Sequence, residues 1–166
     1  MFHHTFVVAS VFNSIIILAQ GFLVIFKNPR SHMCRWWFAL SIAVGLWCLL
    51  YGVGVTTPEF KIASLLIYAS NAVAYVIGPT YAGFVLSLIP DNRKYRPLLF
   101  LSFTLSAISL PMLLSGNALD VVAFPPFFFH ERHKWGDIPN LLNNLVLPTV
   151  LIIIVLIEAR NCSGRK

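Results

Sequence analysis

The sequence predicts an all-α integral membrane protein, a five-helix transmembrane bundle with its N-terminus outside and its C-terminus in the cytoplasm. Three observations carry this. First, only 11% of the 166 residues are charged and the mean hydropathy is +0.79, where a soluble domain is about one quarter charged. Second, all 18 acidic and basic residues fall outside five uncharged stretches: 1–26, 36–58, 62–90, 97–119 and 138–157. Each is 20 to 29 residues long, and about 20 apolar residues of helix cross a hydrocarbon core. Third, the positive charges are sorted. Taking alternate sides, Lys27, Arg30, Arg35, Arg93, Lys94, Arg96, Arg160, Arg165 and Lys166 share one side, and Lys61, Arg132 and Lys134 the other. Nine against three places the richer side in the cytoplasm. This composition excludes a soluble enzyme, a disordered tail and a nucleic-acid binder, despite the net charge of +6.

The elements follow in order within a single membrane domain spanning 1–166. Span one, about 6–26, begins too soon and runs too long for a cleaved signal, and it has no Lys or Arg before it. Asn13, Ser14 and Gln20 interrupt it, and polar residues in lipid seek another helix. Pro29 ends the helix, and Trp36 and Trp37 stand where an interfacial aromatic belt is expected. Span two, about 36–55, carries small residues at Ala39, Ser41, Ala43 and Gly45, which permit close helix approach. Span three, about 62–89, is too long to stand straight, and Gly78-Pro79 supplies a kink.

Span four, about 98–114, contains Ser102, Thr104, Ser106 and Ser109, with Pro111 near its outer end. The outer loop, 115–139, holds the apolar and aromatic run Val121 to His130, expected to lie along the interface or on the bundle. Its Phe127, Phe128 and Phe129, with Trp135, read as an interface anchor or as a ligand lid. Span five, about 140–157, has Asn143, Asn144 and Pro148 in its outer half. Three cysteines give no disulfide framework.

No Asp, Glu, Lys or Arg lies inside a span, which weighs against a proton-coupled transporter or pump. Asn71 and Tyr75 are one turn apart on span three and share a face. With Asn13, Gln20, Asn143 and Asn144 they read either as the lining of a ligand pocket or as interhelical hydrogen bonding. In the loop, His130-Glu-Arg-His133 has i, i+3 spacing; on a helix, His130 and His133 with Glu131 are candidate metal ligands, or a pH sensor. The alternative is exposed interfacial histidines. No pattern asks for a cofactor, and the spans hold no nucleophile–base pair of an enzyme.

The stretch from the first basic loop through span two is the most distinctive: Asn28-Pro-Arg-Ser31, Arg35-Trp-Trp-Phe-Ala-Leu40, Leu46-Trp47 and Tyr51. It resembles the N-terminal seven-transmembrane sensor region of bacterial histidine kinases, with its basic loop, Arg before Phe-Ala-Leu, and a Trp nine residues after that Phe. Gly78-Pro-Thr-Tyr-Ala-Gly-Phe84 is similar to the family's proline-containing third helix, and Lys134-Trp-Gly136 fits its approach to span five. The resemblance covers roughly residues 12–158. It implies a sensory input domain in a bacterial cytoplasmic (plasma) membrane, acting in two-component signal transduction, and it adds Trp47 and Tyr51 to the ligand-binding candidates. The partners it implies are the lipid bilayer, a cytoplasmic kinase module or partner chain, and a second copy in a homodimer, with no nucleic acid. The family has seven spans where this chain has five, and these residues hold no phosphoacceptor helix or nucleotide-binding domain. The alternatives are a small oligomeric channel or transporter, or a non-catalytic structural membrane protein.

Overall fold

A computed structural model describes residues 2–115, 119–124, 127–132 and 134–163, with side-chain surroundings for 5–115, 120–122 and 138–160. Helices α1 (Phe2–Lys27), α2 (His32–Thr56) and α3 (Phe60–Ser87) follow one another across short turns. A single 3₁₀ turn, Arg93–Tyr95, leads into α4 (Arg96–Leu114). After the outer loop come α5 (Lys134–Leu141), a π-helical turn (Leu142–Val146) and α6 (Leu147–Ser163). The last three are continuous, so the described residues hold five helices long and apolar enough to cross a membrane: Thr5–Lys27, His32–Thr56, Phe60–Ser87, Arg93–Leu114 and Ile138–Arg160.

Local chemistry sets the boundaries. Ser31 caps α2, its Oγ accepting from the Cys34 N–H at 3.4 Å. Proline stands in the first turn of α4, where its missing N–H costs nothing. The surface is inverted relative to a soluble fold. Phe12, Phe26, Leu65, Phe100, Leu114 and Leu156 are each more than 60% exposed, while Ser14, Ser70, Asn71, Ser102, Ser109 and Asn143 are buried. Water would penalise that arrangement, whereas lipid rewards it.

The packing is up-and-down. Ser10 meets Gly52, Ser14 Oγ donates to the Gly45 carbonyl at 2.8 Å, and Gly21 lies against Ser41, so α1 and α2 are antiparallel along a line of small residues. Gly54 against Ile67 and Gly83 against Trp36 set α2 and α3 antiparallel in the same way. A Cβ on Gly83 would stand 2.4 Å from the Trp36 ring, so that crossing requires glycine. Helix α3 is the hub, packing on α2, α4 and α6, while α1 packs chiefly on α2. Lys94 and Tyr95, before α4, both bond Glu158 near the end of α6, at 2.5 and 2.6 Å. The end of α1, the start of α2, the end of α3, the start of α4 and the end of α6 therefore form one basic end of the bundle.

The outer loop departs from an all-α fold. Leu119–Phe124 (β1) and Phe127–Arg132 (β2) pair antiparallel, Leu119 opposite Arg132 and Phe124 opposite Phe127. The apolar run, expected along the interface or on the bundle, is a hairpin, with Val121 packed against the cluster of Tyr75 and Leu113. The pairing satisfies the backbone groups that face each other between the two strands.

Candidate functional site

Proline inside a helix withholds one N–H from the carbonyl four residues before it. Pro79 thus leaves the Tyr75 carbonyl without its helical donor, deep in the bundle. Ser106 of α4 replaces that donor: its Oγ donates to the Tyr75 carbonyl at 2.5 Å. The same hydroxyl accepts from Asn143 Nδ2 at 2.9 Å, and Asn143 Oδ1 accepts from Ser102 Oγ at 2.6 Å. Three helices are joined by one relay, Ser102 to Asn143 to Ser106 to the Tyr75 backbone. Asn143 is 1% exposed. Its amide lies on Gly78, where a Cβ would come within 2.5 Å of Nδ2.

The last helix is loosened at the same level. Pro148 cannot donate to the Asn144 carbonyl, and its ring crowds the turn before it. The turn widens to π-helix, and the Leu147 N–H reaches back to the Leu142 carbonyl. Beside that wide turn Asn143 meets α3 and α4, and Asn144 borders α2 and α3. Beside the relay lies a cavity of about 390 Å³ between α2, α3 and the last helix, lined by Trp47, Ile77, Gly78, Tyr81, Asn144 and Pro148, with Ala74. Ligand pockets run from roughly 300 to 1,000 Å³ and are mostly apolar with a few fixed polar groups. Here an indole, a phenol and a carboxamide are set among apolar side chains. The lining offers apolar contact and a few hydrogen bonds.

The six ligand-binding candidates divide. Trp47 and Asn144 line the cavity, and Asn143 stands behind it, bonded into the relay. Tyr51 stacks on Trp47, ring centroids 6.0 Å apart, one turn further along α2. Asn71 and Tyr75 are buried but turn elsewhere: Asn71 Nδ2 bonds the Ile67 carbonyl of its own helix, and the Tyr75 ring joins Leu113 under the hairpin. Asn13 and Gln20, expected to face inward, are exposed on α1. Helix α1 has α2 as its main neighbour, so most of its circumference faces outward. Sequence reasoning passed over Ser102 and Ser106 as site residues. Their i, i+4 spacing, opposite a proline-interrupted helix, was the available signal.

For the candidate metal ligands His130 and His133, the structure shows Phe127–Arg132 as strand rather than helix. His133 and the side chain of His130 lie outside the described residues. Among the described residues no group of three His, Cys, Asp or Glu could hold a metal ion. Comparison with protein families, curated proteins and solved structures finds no match for this chain.

Proposed function

We propose that this chain is a membrane-embedded signal-input domain, resembling the sensor region of a histidine kinase. One observation carries the reading. The cavity borders the point where two proline-interrupted helices touch, Gly78 of α3 against Asn143 of the last helix. A small lipid-soluble molecule filling the space beside Trp47 and Asn144 presses on that contact. The last helix then shifts or rotates relative to α3, and the movement passes along α6 to the basic end, which the positive-inside rule places in the cytoplasm. A ligand drives this by the difference between its affinities for the two arrangements.

The partner of this reading is a second copy, met along α1. Asn13 and Gln20 are seven residues apart, hence on one face, and both are exposed within the span. Carboxamides both donate and accept, so the same face of a like-oriented copy satisfies them.

The test is a distance. With Cys34, Cys48 and Cys162 replaced, spin labels at Leu88→Cys and Ile157→Cys report α3 against α6 in bilayers. An alkanol series from butanol to decanol serves as the probe. The expected result is a changed distance distribution that saturates with alkanol and is lost in Asn144→Leu. A distribution indifferent to alkanol, with Trp47 fluorescence equally unmoved, overturns the reading. The kinase connection is tested separately, on the coding sequence beyond Lys166. A kinase module there supports it, and unrelated sequence removes it.

A further inference from the structure

A second cavity lies at the basic end, where α2 begins, α3 ends and α4 begins. Its volume is about 420 Å³, and His32, Trp36, Ser87, Asn92 and Arg96 are among its walls. None of its ten lining residues is acidic. Asp91 stands next in sequence but is exposed and does not line it. The carbonyls at the end of α3 are already engaged: the Leu86 carbonyl accepts from Asn92 Nδ2 at 3.1 Å and from the Ile89 N–H at 3.2 Å. Glu158, the nearest acid on α6 to this end, is held by Lys94 and Tyr95. The cavity thus keeps a guanidinium and an imidazole with no carboxylate among its walls.

The rest of the lining is apolar. Leu86, Ile89 and Leu99 complete the walls, and the Trp36 ring can lie flat only because Gly83 has no Cβ. A guanidinium, an imidazole and an amide above an apolar, aromatic floor match one chemistry, a phosphate ester whose other side is hydrocarbon. The helix starts add to this. Neither α2 nor α4 has an acidic residue in its first turn, so the positive ends of both helix dipoles are uncompensated there. Guanidinium is the side chain best shaped for phosphate oxygens, and basic pockets at a cytoplasmic membrane surface take lipid headgroups.

We propose that this cavity binds the phosphate of an anionic phospholipid headgroup or free phosphate, with Arg96 and His32 as the anion-holding side chains. The inference stands apart from the sensory reading, because the cavity shares no lining residue with the one beside Trp47.

The experiment uses the full chain purified in neutral detergent and titrated with dioleoyl-phosphatidylglycerol, retained lipid being counted by native mass spectrometry. Dioleoyl-phosphatidylcholine is the control lipid and inorganic phosphate the competitor. One saturable phosphatidylglycerol is expected. Arg96→Gln is expected to weaken its retention about tenfold, the value of one charge-assisted hydrogen bond. Arg93→Gln, on the same exposed turn but outside the cavity, leaves retention unchanged. Leu99→Phe, which fills the cavity and keeps every charge, abolishes it, with helix content by circular dichroism confirming that each variant is folded. Displacement by inorganic phosphate identifies the ligand as free phosphate, and its absence identifies the lipid. Equal losses in Arg93→Gln and Arg96→Gln overturn the proposal by reducing it to diffuse surface charge, and equal retention of the phosphatidylcholine overturns it by removing the preference for an anionic lipid.

Discussion

At the level of single residues, Pro79 and Ser106 form a pair that neither chain segment explains alone. The proline removes a donor from the Tyr75 carbonyl, and the serine hydroxyl supplies one from another helix at 2.5 Å. Ser106→Ala therefore removes the interhelical donor to the Tyr75 carbonyl and frees one Asn143 donor. We expect a loss of about 1 kcal/mol, in the range of interhelical hydrogen bonds in membranes, measured by reversible unfolding in mixed micelles. The decisive version is a double-mutant cycle. Pro79→Ala returns an N–H to position 79, which bonds the Tyr75 carbonyl within the helix, so Ser106→Ala should cost much less in that background. Additive losses mean that the two positions are not coupled. Asn143→Ala cuts the relay on both sides and leaves space over Gly78. Its expected cost is about 2 kcal/mol, above that of Ser106→Ala, because two bonds and the packing on glycine are lost.

At the level of elements, the helices were legible because an uncharged stretch of 20 residues has few alternatives. The spans read from the sequence and those in the structure differ only by a few residues at their ends. The kink expected at Pro79 is a position where α3 stays helical and α4 supplies the missing donor. The hairpin was not legible. Its run from Val121 to Phe129 does not alternate, and two adjacent prolines, Pro125 and Pro126, hide a strand pair behind what looks like an anchor. The π-turn was equally hidden, since a wide turn is a response to Pro148 and to packing on Gly78, neither of which shows in local periodicity. The site was half legible for the same reason. Asn143 and Asn144 could be picked out as polar residues in lipid, but which face of α1 or α3 turns inward depends on how many neighbours each helix has. Helix α1 has few, and its exposed Asn13 and Gln20 carry a prediction. Replacing both with Leu should lower self-association in bilayers several-fold, read by energy transfer between labelled copies, while the same change at exposed Phe12 and Ile15 should not. Equal effects at both pairs of positions remove the amide contact.

For the whole molecule, the charge arithmetic becomes geometry. Lys27, Arg30, Arg35, Arg93, Lys94, Arg96 and Arg160 gather at one end of an up-and-down bundle, and the turn bearing Lys61 stands at the other. A membrane potential and an anionic inner leaflet both favour the basic end inside. From this follows an expected side for each turn. The turn between α1 and α2 should face the cytoplasm, and the turn between α2 and α3 the exterior. Asn28 and Glu59 are exposed in those two turns, and both can be replaced without adding or removing a positive charge. In a background without the three native cysteines, Glu59→Cys should react with a membrane-impermeant maleimide on intact cells. Asn28→Cys should react only after permeabilisation. The reverse pattern would invert the bundle, place the cavity at His32 and Arg96 on the outer face, and turn the end of α6 away from any cytoplasmic partner. Removing positive charge from the basic end tests the cause. Arg30, Arg35, Arg93 and Arg96 replaced together by Gln leave three basic residues among those seven. The labelling of Glu59→Cys and Asn28→Cys should then become mixed, because the positive charges stand at five against three instead of nine against three.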